Sequence, residues 1–139
     1  MNHFPIKLQL RIDWSEMDLF SHVNNVAYFK YIQASRVNYW EKTMLTNIFS
    51  ENKTGPILLS TNCQFIIPLH YPGDIVVESR MEFIKNTSFG IHHRILNQLG
   101  EVAAEGHDVI VFFDFNKNEK MRVPDEFRKL VAELEGRDY

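Results

Sequence analysis

Between residues 57 and 115 the sequence passes through four strand-like runs joined only by turn-length connections, and this succession limits the available folds more than any other feature. Ile57 to Leu69 is an apolar run closed by the turn cluster Tyr71-Pro72-Gly73-Asp74. Ile75 to Ile84 alternates, with Ile75, Val77, Ser79, Met81 and Phe83 opposite Val76, Glu78, Arg80 and Glu82. Lys85-Asn86-Thr87-Ser88 then turns the chain into Phe89 to Gln98, and a hairpin at Asn97 to Glu101 leads into a Val-, Ile- and Phe-rich run ending at Phe115. Parallel neighbours need crossover connections of a dozen residues or more, so strands this close in sequence pair antiparallel.

The flanking segments supply what the sheet packs against. Phe4 to Trp14 alternates as a half-buried strand, with Ile6, Leu8, Leu10 and Ile12 on its apolar face. Asn24 to Lys42 places Val26, Phe29, Ile32, Val37 and Trp40 near helical spacing. Ala27, Tyr28, Tyr31 and Ala34 make its other faces apolar too, the pattern of a helix buried all round. A loop is expected over Thr46 to Gly55. Pro124 opens a final helix, with Asp125 and Glu126 in its first turn and Phe127, Leu130, Val131 and Leu134 on one face. The expectation is an α+β fold, an antiparallel sheet curled around a long central helix with a short C-terminal helix, in one domain over residues 1–139. One sheet and one apolar helix leave an edge and a face uncovered, so two subunits are expected to join edge to edge.

Composition narrows the function classes. Fifteen Lys and Arg against 18 Asp and Glu give a charge of -3, without the basic footprint of a nucleic-acid binder. Eleven Phe, five Tyr and two Trp in 139 residues are enough to line an apolar groove or a subunit interface. No run of about 18 apolar residues and no signal-peptide pattern occurs, so a cytoplasmic protein without a membrane anchor is expected. Cys63, the single cysteine, sits in an apolar run and reads as a small buried hydrophobe.

Polar residues crowd the junction between the first strand and the long helix, Asp13 to Tyr28, without helix or strand period. A structural reading has Ser21 or Asn24 capping the helix, Asp18 complementing its positive end and His22 making a loop hydrogen bond. A chemical reading uses the same position differently. N–H groups in a helix's first turn have no internal partner and can polarise a carbonyl, the carboxylate of Asp18 can attack that carbonyl or draw a proton from water, and His22 can orient water or substrate.

The stretch Glu16-Met17-Asp18-Leu19-Phe20-Ser21-His22-Val23-Asn24-Asn25-Val26-Ala27-Tyr28, with Arg36 beyond it, resembles the signature of hotdog-fold thioesterases of the 4-hydroxybenzoyl-CoA thioesterase family. Tyr71-Pro72-Gly73-Asp74, Thr87-Ser88-Phe89 and Val123-Pro124 extend the likeness over nearly the whole chain. The resemblance implies a hotdog fold and hydrolysis of an acyl-CoA, or of an acyl-carrier-protein thioester, to a free acid and a thiol. It also implies a homodimer or homotetramer that needs no cofactor. By the same resemblance Asp18 is the catalytic carboxylate, the Asn25 N–H polarises the thioester carbonyl and His22 assists, while Lys85, Thr87, Ser88 and Phe89 match a segment that contacts the pantetheine arm. Ser21 stands where many members have Gly or Gln, and Glu16 replaces the first Asp of the usual pair.

No metal site is expected. His92 and His93 point to opposite faces of one strand, and His3, His70 and His107 are scattered without ligand spacing. Arg36 is expected to pair with a buried carboxylate such as Glu16. The alternative function is a non-catalytic scaffold binding acyl-CoA or acyl-carrier protein in the same groove, against which Asp18 beside His22 argues.

Overall fold

A computed structural model describes residues 3–43 and 45–139. Its strands are β1 (Ile6–Arg11), β2 (Thr54–Phe65), β3 (Asp74–Ile84), β4 (Ser88–Leu96), β5 (Val102–Asp114) and a two-residue β6 (Glu119–Lys120); its helices are α1 (Asn25–Lys42), α2 (Leu45–Asn52) and α3 (Asp125–Glu135). The sheet runs β1-β3-β4-β5-β2 with β6 on β5, and every pairing is antiparallel. The apolar faces of the alternating strands turn toward α1, which lies across the sheet on Ala27, Tyr28, Tyr31, Ile32, Ser35 and Tyr39. This i, i+3, i+4 spacing is one helical stripe. Gly106 sets how closely helix and sheet approach, since a Cβ there would lie 2.7 Å from Ile32 Cδ1.

The core has two parts along α1. Near the helix start Val23, Tyr28, Tyr31 and Ile32 pack on Ile75, Val77 and Ile95, and near its end Tyr39 joins Met81, Phe89, Phe112 and the α3 residues Phe127 and Val131. Glu135 closes that end, accepting hydrogen bonds from Tyr39 Oη and the Met81 N–H. Ser35 lies between the two parts and begins a buried polar chain: its hydroxyl is 2.8 Å from His93 Nδ1, and His93 Nε2 is 2.7 Å from Asp108 Oδ2. Arg36 donates to both oxygens of Asp108 and Thr61 donates to one.

Several expectations need correcting. The proposed 46–55 loop is largely the helix α2, whose Asn- and Ser-rich sequence hides its helical character. The first strand ends at Arg11, because Asp13 caps a 3-10 turn over Trp14–Glu16. Arg36 pairs with Asp108 rather than Glu16, whose oxygens are taken by Lys30 and Tyr31. Cys63 is only half-buried, and burial raises its thiol to a pKa of about 11, which leaves it unreactive at neutral pH.

The long helix is not covered on all faces. Val26, Phe29 and Val37 are exposed, and so are Ile57, Leu58, Leu59 and Phe65 on the edge strand β2. The two sets adjoin where the Phe29 and Phe65 rings meet edge to face at 6.4 Å.

Candidate active site

The junction between β1 and α1 is a compact loop tied down at both ends. Glu16 is buried, and its carboxylate accepts from Lys30 Nζ at 2.9 Å, Tyr31 Oη at 2.7 Å and the Asp13 N–H at 2.8 Å. Burial pushes its pKa up, but the Lys30 and Tyr31 hydrogen bonds pull harder and hold it below the usual value. The Glu16 carbonyl accepts both the backbone N–H and the side-chain amide of Asn24. Asn24 caps α1 through its side-chain oxygen on the Ala27 N–H at 2.9 Å, which settles the choice between Ser21 and Asn24.

Within that frame Asp18 organises the tip. Its N–H donates to the His22 carbonyl, and its Oδ1 accepts the N–H groups of Phe20 at 2.8 Å and His22 at 3.1 Å. Those bonds, from His22 and then Phe20, hold the carboxyl below its ordinary pKa, so Asp18 is ionised at neutral pH. Among the described residues Oδ2 has no hydrogen-bond partner. Ser21 takes φ 63°, a left-handed conformation that suits glycine.

Asp18, His22 and Asn25 line one cleft of about 340 Å³, whose wall is Tyr28 with Phe65, Ile66 and Ile67. Asn25 is the first residue of α1, so its N–H precedes any i to i−4 bond and faces outward at the positive end of an 18-residue helix. The cleft thus sets a carboxylate, an imidazole and polarised N–H groups beside an apolar wall. This is an arrangement suited to acyl transfer on a substrate with an apolar tail.

His70 belongs to the same cluster and was missed in the sequence. Its ring meets His22 edge to face at 4.9 Å, and its Nδ1 is 3.1 Å from the Ser21 carbonyl. The two histidines are 48 positions apart, and hydrogen bonds from Val23 N–H to the Leu69 carbonyl and from Leu69 N–H to Tyr28 Oη bring their segments together.

The other expected binding residues lie outside this cleft in the chain. Lys85, Thr87 and Ser88 form the β3–β4 hairpin: Lys85 Nζ rests 5.0 Å over the Phe83 ring, the Lys85 N–H donates to the Ser88 carbonyl and the Thr87 carbonyl accepts from Phe112. Phe89 must be withdrawn as a ligand contact. It is fully buried, its ring 5.8 Å from Trp40 and 5.1 Å from Phe127, because β4 pairing turns it to the helix side of the sheet. His92 and His93 turn to opposite faces of β4 as expected, and His92 meets His107 on the next strand, ring against ring.

Comparison with known proteins finds relatives of this fold. The Bacillus subtilis (strain 168) protein YsmA is 28% identical over 104 residues, covering 74% of this chain and 69% of its own. A thioesterase from Thermus thermophilus, complexed with coenzyme A and Zn, superposes with a TM-score of 0.87 at 21% identity over the full length of both chains. The PA2801 protein of Pseudomonas aeruginosa superposes with a TM-score of 0.81 at 27% identity, over 94% of this chain and 100% of its own. Residues 12–131, which span the loop, α1 and the strands that wall the cleft, match the model of one family, and the hotdog-fold chain described here belongs to it: the thioesterase-like superfamily.

Proposed function

We propose that this chain is an acyl-CoA thioesterase that hydrolyses an acyl thioester to a free carboxylic acid and coenzyme A, without cofactor, in the cytoplasm. The observation that carries the reading is the convergence of Asp18, His22 and the Asn25 N–H on one cleft with an apolar wall. The coenzyme A bound to the Thermus thermophilus neighbour supports the choice of carrier over an acyl-carrier protein.

In the proposed reaction a water lies between Asp18 Oδ2 and the His22 ring. Asp18 takes its proton while the water oxygen attacks the thioester carbonyl carbon, and the carbonyl oxygen becomes an oxyanion at the Asn25 N–H. The tetrahedral species then re-forms its C=O bond and breaks the C–S bond. The proton on Asp18 passes to the departing sulfur, giving acid and thiol. An acyl chain seated on Phe65 and Ile66 strips water from Asp18, which raises the basicity of its carboxylate toward what this step needs. Lys85, Thr87 and Ser88, outside the cleft of their own chain, are proposed to hold the pantetheine arm of a substrate bound to the other subunit of the proposed assembly.

Two measurements test this. A thiol-release screen across aliphatic chain lengths and aromatic acyl-CoAs, with acyl-carrier-protein thioesters as control, should find an acyl-CoA cleaved with kcat/KM of about 10⁴ M⁻¹s⁻¹ or more. Acyl-CoA binding without thiol release would establish the scaffold alternative instead. The second concerns assembly, since β2 and the outer face of α1 expose adjoining apolar side chains at the margin of the cleft. The chain is proposed to act as a homodimer or homotetramer joined through β2. Light scattering at micromolar concentration should give at least twice the 16.4 kDa chain mass, and a folded particle at 16.4 kDa would refute the assembly.

A further inference from the structure

Alternation along β4 sends His93 inward to α1 and His92 to the opposite face of the sheet, and the register sets His107 of β5 directly across from His92. Their imidazoles stack with centroids 4.3 Å apart and planes 12° from parallel. Each ring is also met by a glutamate, that of His107 reaching across β4 from β3 and that of His92 coming from the adjacent β5. His107 Nδ1 is 3.0 Å from Glu82 Oε1 on β3, and His92 Nε2 is 2.9 Å from Glu105 Oε1 on β5. Phe4 covers His92, the two rings 5.1 Å apart, and Arg80, the cross-strand partner of His92, is turned onto Phe4 at 4.9 Å.

Under this cover His92 keeps 8% of its surface, and among the described residues its buried Nδ1 has no hydrogen-bond partner. A buried polar atom left without a partner carries a free-energy cost, so a fold that retains one calls for an explanation. One donor atom each from Glu82, His92 and His107 lies within 4.8 Å of the other two. Donors bound 2.0–2.1 Å from a tetrahedral ion sit about 3.3 Å apart, so modest side-chain rotation closes the set. Two imidazoles and a carboxylate suit a borderline ion such as zinc, whereas calcium and magnesium favour all-oxygen shells.

We propose that Glu82, His92 and His107 form a binding site for a divalent transition-metal ion, zinc above all, on the face of the sheet turned away from α1. Binding turns the stacked rings until their lone pairs converge, releases Glu82 from His107 Nδ1 to the ion, and leaves Glu105 placed to orient His92 or to complete the shell. The ion cross-links β3, β4 and β5. None of the three donors lines the cleft of Asp18 and His22, so the site is a fixture of the sheet and separate from hydrolysis.

Calorimetric titration of metal-free protein with zinc sulfate tests it. The expected result is one zinc per chain with a Kd of about 10 μM or tighter, a higher melting temperature with zinc, and imidazole scattering in the X-ray absorption spectrum of the bound ion. His107→Ala and Glu82→Ala change side chains that keep 42% and 36% of their surface exposed, so both variants should fold, and each should weaken zinc binding tenfold or more. A combined Asp18→Asn, His22→Ala variant should bind zinc as the parent does. Absence of saturable binding, an unchanged Kd in His107→Ala, or loss of binding in the cleft variant would each overturn the proposal, the last by placing the ion at His22 and His70.

Discussion

Asp18→Asn should lower kcat for acyl-CoA hydrolysis by a hundredfold or more while leaving the fold and the acyl-CoA affinity in place. The substitution is clean because the structural work of Asp18 falls on one oxygen. Oδ1 accepts the N–H groups of Phe20 and His22, and the amide oxygen of asparagine can accept both in the same geometry. What the variant loses is the charge and basicity of the second position. A charge that only complemented the helix start would contribute about 0.3–1 kcal/mol of stability and nothing specific to turnover. Rate, melting temperature and binding measured on one preparation distinguish the two roles. Near-parental hydrolysis by the variant would reduce Asp18 to a loop organiser. Because its folded-state pKa lies below the ordinary aspartate value, the base remains ionised through neutral and mildly acidic pH, so its own titration should leave activity unchanged there.

The largest effect on stability is expected at Asp108. Its carboxylate is 1% exposed and accepts from Arg36 at 2.8 and 3.2 Å, His93 at 2.7 Å and Thr61 at 2.7 Å. Asp108→Ala leaves a guanidinium that is only 12% exposed without its counter-charge, a loss of about 3–5 kcal/mol for a broken buried pair. Against a typical total of about 5–15 kcal/mol, that is a large fraction of what holds a domain together. Urea unfolding at fixed protein concentration reads it, and a loss below about 1 kcal/mol would show that the pair is dispensable. The pH dependence follows from the same contacts. Burial opposes the Asp108 charge, but His93 and Arg36 outweigh it and bring its pKa from 3.8 to about 2. The unfolded chain then takes up protons at higher pH than the folded one, so this contribution is complete above about pH 4 and fades as pH falls toward 2. His93 acts in the same direction from a higher pH. Burial lowers its pKa, because a neutral ring donating from Nε2 to Asp108 and accepting at Nδ1 from Ser35 is already satisfied. Acidification below about pH 6.5 therefore charges His93 in the unfolded chain first and draws the equilibrium that way.

The residues legible in the sequence were those whose partners are local. Strand alternation from Ile75 to Met81 follows from a period of 2.0 and survives, but a register shift after Met81 inverts it, so that Ile84 and not Phe83 packs on the core. The helix α1 buries a stripe at helical spacing, on Ala27, Tyr28, Tyr31, Ile32, Ser35 and Tyr39 rather than on the expected Val26, Phe29 and Val37. Asp18, His22 and Asn25 meet because eight residues of one loop contain them all. Contacts that depend on strand register did not show. Arg36 and Asp108 are 72 positions apart, His22 and His70 48, and His92 meets His107 only because the β4–β5 pairing sets them opposite. Phe89 failed for the same reason: in a hairpin of mixed polar and aromatic residues, register alone decides which side chain turns inward. The short helix α2 was hidden by residues that favour turns when read singly.

The make-up of β2 also bears on the fate of a single chain before the assembly proposed above. Twelve residues from Thr54 to Phe65 form an edge without a single charge, and Pro56 near its start is the one residue there that lacks an N–H to donate. Natural edge strands usually carry lysines, mid-strand prolines or bulges that discourage unplanned pairing; on β2 a register shift between Leu58 and Ser60 faces β5, while Leu58 and Leu59 stand open to solvent. Such an edge accepts any extended apolar segment that reaches it, including β2 of a misaligned copy or an unfolded neighbour. In the assembly proposed through β2, correct pairing and fibrous aggregation would therefore compete for the same backbone hydrogen bonds, and the concentration at which a newly made chain meets a second copy would decide between them.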